Sequence, residues 1–63
     1  MAIDIEKKII RLLSDELLST SQVARKLGMR REVASGYLEA LKHQGKLEKT
    51  RVGRSNVYRT IKK

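Results

Sequence analysis

The chain has 63 residues, no cysteine and a formal net charge of +8. A chain of this size forms a single domain, buries only about 60% of its unfolded surface and is marginally stable alone. Without cysteine it has no disulfide or thiolate metal site, and its one histidine, His43, has no partner ligands, so no metal and no cofactor is expected. Oligomerisation is the remaining way to stabilise such a chain, and a homodimer is therefore expected.

Residues 3–14 are predicted to form an amphipathic helix. Its apolar face repeats at i, i+4, i+7 and i+8, with Ile5, Ile9, Leu12 and Leu13. Ile3 and Ile10 widen that face to about half of the helix circumference, more than packing on one neighbour requires. We therefore predict that Ile3 and Ile10 lie in a dimer interface; burial inside the monomer is the alternative.

A short second helix and a tight turn follow. Residues 17–19 are too few for more than a turn or a single bridging strand, and Thr20 stands where a helix N-cap belongs. The inward face of this helix consists of Val23, Ala24 and Leu27. Gly28 then fits a left-handed C-cap, because glycine has no Cβ to oppose a positive φ.

The third helix is predicted to cover residues 31–44 and to end at Gly45. Its buried face consists of Ala34, Leu38 and Leu41, with Tyr37 at the edge. The polar side near its N-terminal half is typical of a recognition helix that enters a DNA major groove. The residues predicted to contact DNA from this region are Thr20, Arg30, Arg31, Glu32, Ser35, Gly36 and Glu39.

These residues differ in the contacts expected of them. Arg30 and Arg31 suit phosphates, Ser35 suits a base edge or a phosphate, and Glu32 suits a cytosine amino group. Gly36 costs about 1 kcal/mol relative to alanine inside a helix. Its presence indicates close approach of something to the backbone, either DNA or a neighbouring helix.

A basic β-hairpin is predicted to follow the third helix. An extended run over residues 46–50, anchored by Leu47, leads to a turn among residues 52–56 and a second strand up to residue 61. Alternation leaves the buried face of that strand open, because Val57 and Ile61 lie opposite Tyr58. The residues expected to contact DNA from the tip are Arg51, Arg54, Ser55 and Asn56.

Positive charge is concentrated in the second part of the chain. Residues 1–41 hold seven Lys or Arg against six Asp or Glu, whereas residues 42–63 hold eight against Glu48 alone. The two parts therefore carry +1 and +7. Such a local positive potential steers a protein toward polyanions, although a solubilising basic surface is the plainer interpretation.

The chain resembles the winged helix-turn-helix transcription regulators of bacteria, archaea and their viruses. The resemblance lies in residues 20–29, 31–41, 45–48 and 53–59, whose glycine and leucine spacing fits without a gap. It implies an α+β fold of three helices and a two-stranded wing over residues 1–63. It further implies a recognition helix starting near Arg31, a wing with Arg51 and Arg54 beside the minor groove, and a first helix that helps to form a dimer.

Two positions depart from the pattern of the family. Arg30 stands where a serine or threonine cap is common, so water or a DNA phosphate is expected to cap the helix instead. Gly36 stands where a basic or polar residue is usual, which implies few base contacts from this helix.

The expected function is that of a homodimeric protein that binds double-stranded DNA, a transcription repressor that occupies an operator. The alternatives are a winged-helix module that binds another protein and a non-specific DNA- or RNA-binding protein. An enzyme is not expected, because the chain lacks a phosphate-binding glycine loop and paired carboxylates. No small-molecule effector or membrane partner is expected, and the location expected is cytoplasmic, with the nucleoid.

Overall fold

The computed structural model describes residues 2–61 of the chain and the side chains of residues 4–61. Its elements are α1 (Ala2–Asp15), β1 (Leu18–Ser19), α2 (Thr20–Leu27), α3 (Arg31–His43), β2 (Leu47–Val52) and β3 (Ser55–Thr60). The strands form one antiparallel sheet in the order β1-β3-β2. The predicted winged helix-turn-helix architecture is confirmed, and residues 17–19 supply the bridging strand rather than only a turn.

The hydrophobic core lies where the helices meet one face of the sheet. Ile9 of α1 and Leu38 of α3 are fully buried, and Leu47 of β2 is 1% exposed. Ile10 is half-buried and packs against this core, so the monomer already covers part of the predicted dimer face. The side chain of Ile3 is outside the described residues. None of the helices in residues 2–61 is long and apolar enough to cross a membrane.

The N-cap of α2 is Ser19, so the prediction of Thr20 as the cap is wrong. The Ser19 hydroxyl accepts a hydrogen bond from the Gln22 backbone N–H at 3.3 Å, and the Gln22 side-chain oxygen accepts one from the Ser19 N–H at 2.9 Å. This reciprocal pair satisfies two backbone donors of the first turn. Ser19 is held extended by its pairing with Val57, and the helix therefore begins one residue earlier than predicted. The predicted C-cap at Gly28 is confirmed, with φ of +67°.

The wing hairpin is tighter than predicted. Its strands extend to Val52 and Ser55, so the turn consists of Gly53 and Arg54 alone. Gly53 has φ of +62°, and a glycine with positive φ at the first central position is typical of a two-residue type II′ turn. Asn56, predicted within the turn, lies in β3. The ladder continues to the tip because a turn of this type follows the right-handed twist of the strands.

The sequence left open whether Val57 or Tyr58 lies on the buried face of the last strand. In the structure both side chains are buried. Val57 is 8% exposed and Tyr58 is 2% exposed, whereas Ile61 lies beyond the end of β3. Tyr58 belongs to the core, opposite Leu18 of β1 and Lys49 of β2. β3 is the central strand of the sheet, and on each face its side chains therefore lie beside side chains of both β1 and β2.

Candidate nucleic-acid interface

A polar groove separates α3 from the wing, which consists of β2, β3 and the turn between them. The groove has a volume of about 490 Å³. Its lining residues are Ser19, Thr20, Ser21, Arg31, Ser35, Glu39, Lys49, Arg54, Ser55, Asn56 and Tyr58. Every one of these side chains carries a hydroxyl, an amide or a charge. This helix–wing groove therefore offers hydrogen bonds and electrostatic attraction rather than an apolar surface.

The structure brings most of the predicted DNA-contacting residues together in the helix–wing groove. Those that line it are Thr20, Arg31, Ser35, Glu39, Arg54, Ser55 and Asn56. Arg30, Glu32, Gly36 and Arg51 are exposed but lie outside it. The division on α3 follows from helix geometry, because residues 31, 35 and 39 are spaced four apart and share the side that faces the wing.

Four groove residues were missed by the sequence interpretation: Ser19, Ser21, Lys49 and Tyr58. Lys49 lies directly opposite Tyr58 in the β2–β3 ladder. Opposed residues point to the same face, so the strand register puts Lys49 in the groove with Tyr58. The two-residue turn sets that register. In the sequence this turn was indicated by Gly53 and Asn56, and these two residues could not place the ends of the strands.

The Glu39 carboxylate has partners within the protein. It accepts a hydrogen bond from the Tyr58 hydroxyl at 2.6 Å. The Lys42 and Lys49 Nζ atoms lie 3.0 Å and 3.8 Å from its oxygens. The Tyr58 hydrogen bond, followed by that of Lys42, lowers the pKa of Glu39 to about 2. Burial, followed by the hydrogen bond to Glu39, raises the pKa of Tyr58 to about 12. Glu39 therefore joins α3 to the wing in addition to its predicted role toward DNA.

These two shifts predict how stability depends on pH. Glu39 is more acidic in the folded state than its ordinary pKa of 4.5, so its contribution is complete above that value and is lost as pH falls toward 2. Tyr58 is less acidic than its ordinary pKa of 10.0, so its contribution is complete below that value and is lost as pH rises through 12. Tyr58→Phe should reduce the loss of stability both at low pH and at high pH. Thermal unfolding monitored by circular dichroism measures this. Tyr37→Phe is the matched control, and parallel profiles for the two variants would contradict the prediction.

The start of α3 has no side-chain cap. Arg30 occupies the N-cap position with extended backbone, and its side chain makes no capping hydrogen bond. The first N–H groups of a helix have no partner within the helix and carry a partial positive charge. With Arg30 and Arg31 both exposed beside them, this end of α3 presents several donors to an anion.

Gly36 faces open space. A Cβ built at this position has no described atom within 4 Å outside the helix backbone nearby. Packing inside the protomer therefore does not require a glycine, and the alternative that a neighbouring helix of the same protomer approaches Gly36 is wrong. Close approach of DNA to Gly36 stays a prediction.

Two arginines of the helix–wing groove have no internal ion pair. Among residues 4–61, Arg31 and Arg54 form no salt bridge, whereas Lys49 is paired with Glu39. A second cavity, of about 510 Å³, lies near the C-terminal end of α1 and shares no lining residue with the groove. It contains the ion pair between Glu48 and Arg59. Arg11, Arg25, Arg30 and Arg51 likewise form no salt bridge among residues 4–61. The unpaired arginines are therefore spread over the surface, and two of them line the groove.

Solved structures of three other proteins are similar to this fold. A mutant of ZitR from Lactococcus lactis has a TM-score of 0.86 and 18% identity, over 90% of this chain and 41% of that chain. Reduced HlyU from Vibrio cholerae has a TM-score of 0.81 and 20% identity, over 89% of this chain and 59% of that chain. At these identities the likeness establishes the fold.

The third similar structure has a higher sequence identity. It is the homodimeric winged helix-turn-helix DNA-binding domain of Mb0332 from Mycobacterium bovis, a possible ArsR-family transcriptional regulator. Its TM-score is 0.85 and its identity 32%, over 90% of this chain and 53% of that chain. The present chain spans about half the length of the three solved chains. It matches no family model and no curated protein.

Proposed function

Because the chain has the winged helix-turn-helix fold, we propose that it is a transcription regulator that binds double-stranded DNA. The observation that carries the proposal is the helix–wing groove, which is polar throughout and is flanked by Arg31 and Arg54 without internal partners. Half or more of the hydrogen bonds in protein–DNA complexes go to phosphate and sugar, and this lining supplies the donors they need.

The proposed arrangement follows from the placement of the elements. The outward side of α3, with Glu32 and Gly36, enters the major groove. The wing tip at Gly53 and Arg54 lies beside the minor groove, and the DNA backbone between the two grooves occupies the helix–wing groove. Base contacts from α3 are few, so affinity comes mainly from phosphates and sequence preference is modest.

We further propose a homodimer that acts as a repressor by occupying its operator. Ile10 is half-buried on α1, which leaves apolar surface exposed in a domain too small to be very stable alone. The similar domain of Mb0332 is homodimeric. Two recognition helices related by a two-fold axis would read half-sites about 34 Å apart.

A salt series tests DNA binding directly. Fluorescence anisotropy with a labelled duplex should show the logarithm of affinity falling linearly with the logarithm of salt concentration. Arg54→Ala should weaken binding to every sequence and reduce the slope by about one. Arg11→Ala, the same charge change on α1, is the control and should leave the slope nearly unchanged. Absence of salt-sensitive duplex binding by the unsubstituted protein would refute the proposal.

Selection from a random duplex pool separates a specific regulator from a non-specific binder. A two-fold symmetric enriched motif supports the operator-binding dimer, and no enrichment would favour non-specific binding. Glu32→Ala should change the base preference at a single position, whereas Arg54→Ala should not. The same effect from both substitutions would contradict the proposed division between base contacts and phosphate contacts.

A further inference from the structure

The helix–wing groove contains a carboxylate, although its proposed ligand, the DNA phosphate backbone, is also negatively charged. Glu39 is the only acidic residue of its lining. Its carboxylate lies between two cations from different elements, Lys42 on α3 and Lys49 on β2. Lys49 also lies over the Tyr58 ring, with its Nζ atom 5.8 Å from the centroid. Glu39 thus pairs with one lysine that lines the groove, Lys49, and with one that does not, Lys42.

The contacts of Glu39 are open to competition. The side chains of Glu39, Lys42 and Lys49 are 37%, 32% and 38% exposed. Ion pairs with this exposure are weak, and salt or another anion can replace either partner. A DNA phosphate that enters the groove would meet Lys49. It would have to share this lysine with Glu39 or displace Glu39, and it would be repelled by the carboxylate at the same time.

We propose that Glu39 is an internal counter-charge that competes with DNA phosphates for Lys49. This proposal rests on the proposed function of the groove. Non-specific binding is supplied almost entirely by phosphate contacts. An anion that occupies a cation of the groove therefore lowers affinity for all duplexes, whatever their sequence. Glu39 thus sets the overall strength of DNA binding, although it need not touch DNA.

Glu39→Gln tests the proposal with little change of shape. Glutamine keeps an oxygen that accepts the Tyr58 hydrogen bond, but it removes the charge that holds the lysines. Affinity for a random-sequence duplex should rise about fivefold at low salt. The slope of log affinity against log salt should become steeper by about one, because each newly neutralised phosphate adds about 0.9. Affinity for a selected operator should rise by a similar factor, so that the ratio of the two affinities stays nearly constant.

Glu48→Gln is the matched control. It makes the same substitution and the same change of net charge, and it also frees a cation, Arg59. That pair lines the second cavity and not the groove. The salt slope of this variant should stay within about half a unit of the unsubstituted protein, since no new phosphate is reached. Equal slopes for Glu39→Gln and Glu48→Gln would overturn the proposal, because net charge alone would then explain the effect.

A second substitution tests the idea if Glu39→Gln does not fold. Lys49→Gln should reduce the salt slope much less than Arg54→Gln, because Glu39 already neutralises Lys49. A reduction by Lys49→Gln as large as that by Arg54→Gln would overturn the proposal. If the unsubstituted protein binds duplex DNA with a steep salt slope and either comparison fails, only the role of Glu39 is refuted. Absence of any such binding refutes the proposed function, and this role with it.

Discussion

Replacing Gly36 with alanine is expected to stabilise the protein and at the same time to weaken its binding to duplex DNA. Glycine inside a helix costs about 1 kcal/mol of stability relative to alanine, because glycine loses more conformational freedom on folding. The added methyl group meets no described atom within 4 Å outside the nearby helix backbone, so nothing offsets this gain. The thermal midpoint should rise by about 4–8 °C, as expected for a domain of this size.

The loss of DNA binding follows from the proposed docking of α3. If the backbone at Gly36 lies against a base edge or a phosphate, a methyl group displaces the helix by part of its own diameter. Affinity should then fall on the order of ten- to a hundredfold. This loss corresponds to the free energy that about one good base contact contributes. Anisotropy with a selected duplex measures this fall, and circular dichroism of the same sample measures the midpoint.

Gly28→Ala is the control for the stability half of this prediction. That position also has no described atom within 4 Å of an added Cβ, but its φ of +67° is unfavourable for any residue with a side chain. The midpoint should therefore fall rather than rise. If Gly36→Ala raised the midpoint and bound DNA like the unsubstituted protein, close approach would not be the reason for this glycine.

If the protein forms the proposed dimer, replacing Ile10 with glutamine is expected to convert it to a monomer. Glutamine keeps much of the length of the side chain but places an amide on the apolar side of α1, where a partner subunit would bury it. Two linked binding modules gain about 10²–10⁴ in affinity over one, and operator binding should fall by about this factor. Sedimentation over a range of protein concentrations measures the mass, and anisotropy measures the binding.

Val52→Gln is the matched control for Ile10→Gln. Val52 is 54% exposed on the wing, so the same loss of apolar surface should leave the mass unchanged. Because Ile10 also packs against the core of its own protomer, far-UV circular dichroism is needed to separate loss of the dimer from loss of the fold. Ile3→Gln is a second variant for the same interface. A monomeric mass for the unsubstituted protein at every concentration would refute the interface.

Most of the fold could be predicted because its signals are local. The buried residues of α3, which are Ala34, Leu38 and Leu41, repeat at helical spacing, and all are buried in the structure. Gly28 and Gly45 both follow the helices that they were predicted to end, and Gly28 has the predicted positive φ. The errors in the predicted boundaries of helices and strands are small. The N-cap of α2 moved by one residue, to Ser19, because pairing with β3 holds that residue extended.

The candidate site could be predicted only in part, because it is assembled from distant segments. The basic character of residues 42–63 and the polar positions of α3 are visible in the sequence. The partners of Glu39 are not, since Tyr58 lies 19 residues away. Lys49 was likewise missed, because its direction depends on the register of the wing, and a shift of one residue would turn it to the opposite face.

The sequence by itself determined the three helices, the hairpin and the sign of the charge around it, because helical periodicity, glycine turns and charge depend only on neighbours along the chain. The tertiary structure decided which polar groups face one another. It joined Glu39 to the wing, turned Tyr58 into the core and left Gly36 in open space. Those outcomes depend on strand register and on the packing of α3 against the sheet, and contacts between distant segments are fixed only when the whole core forms.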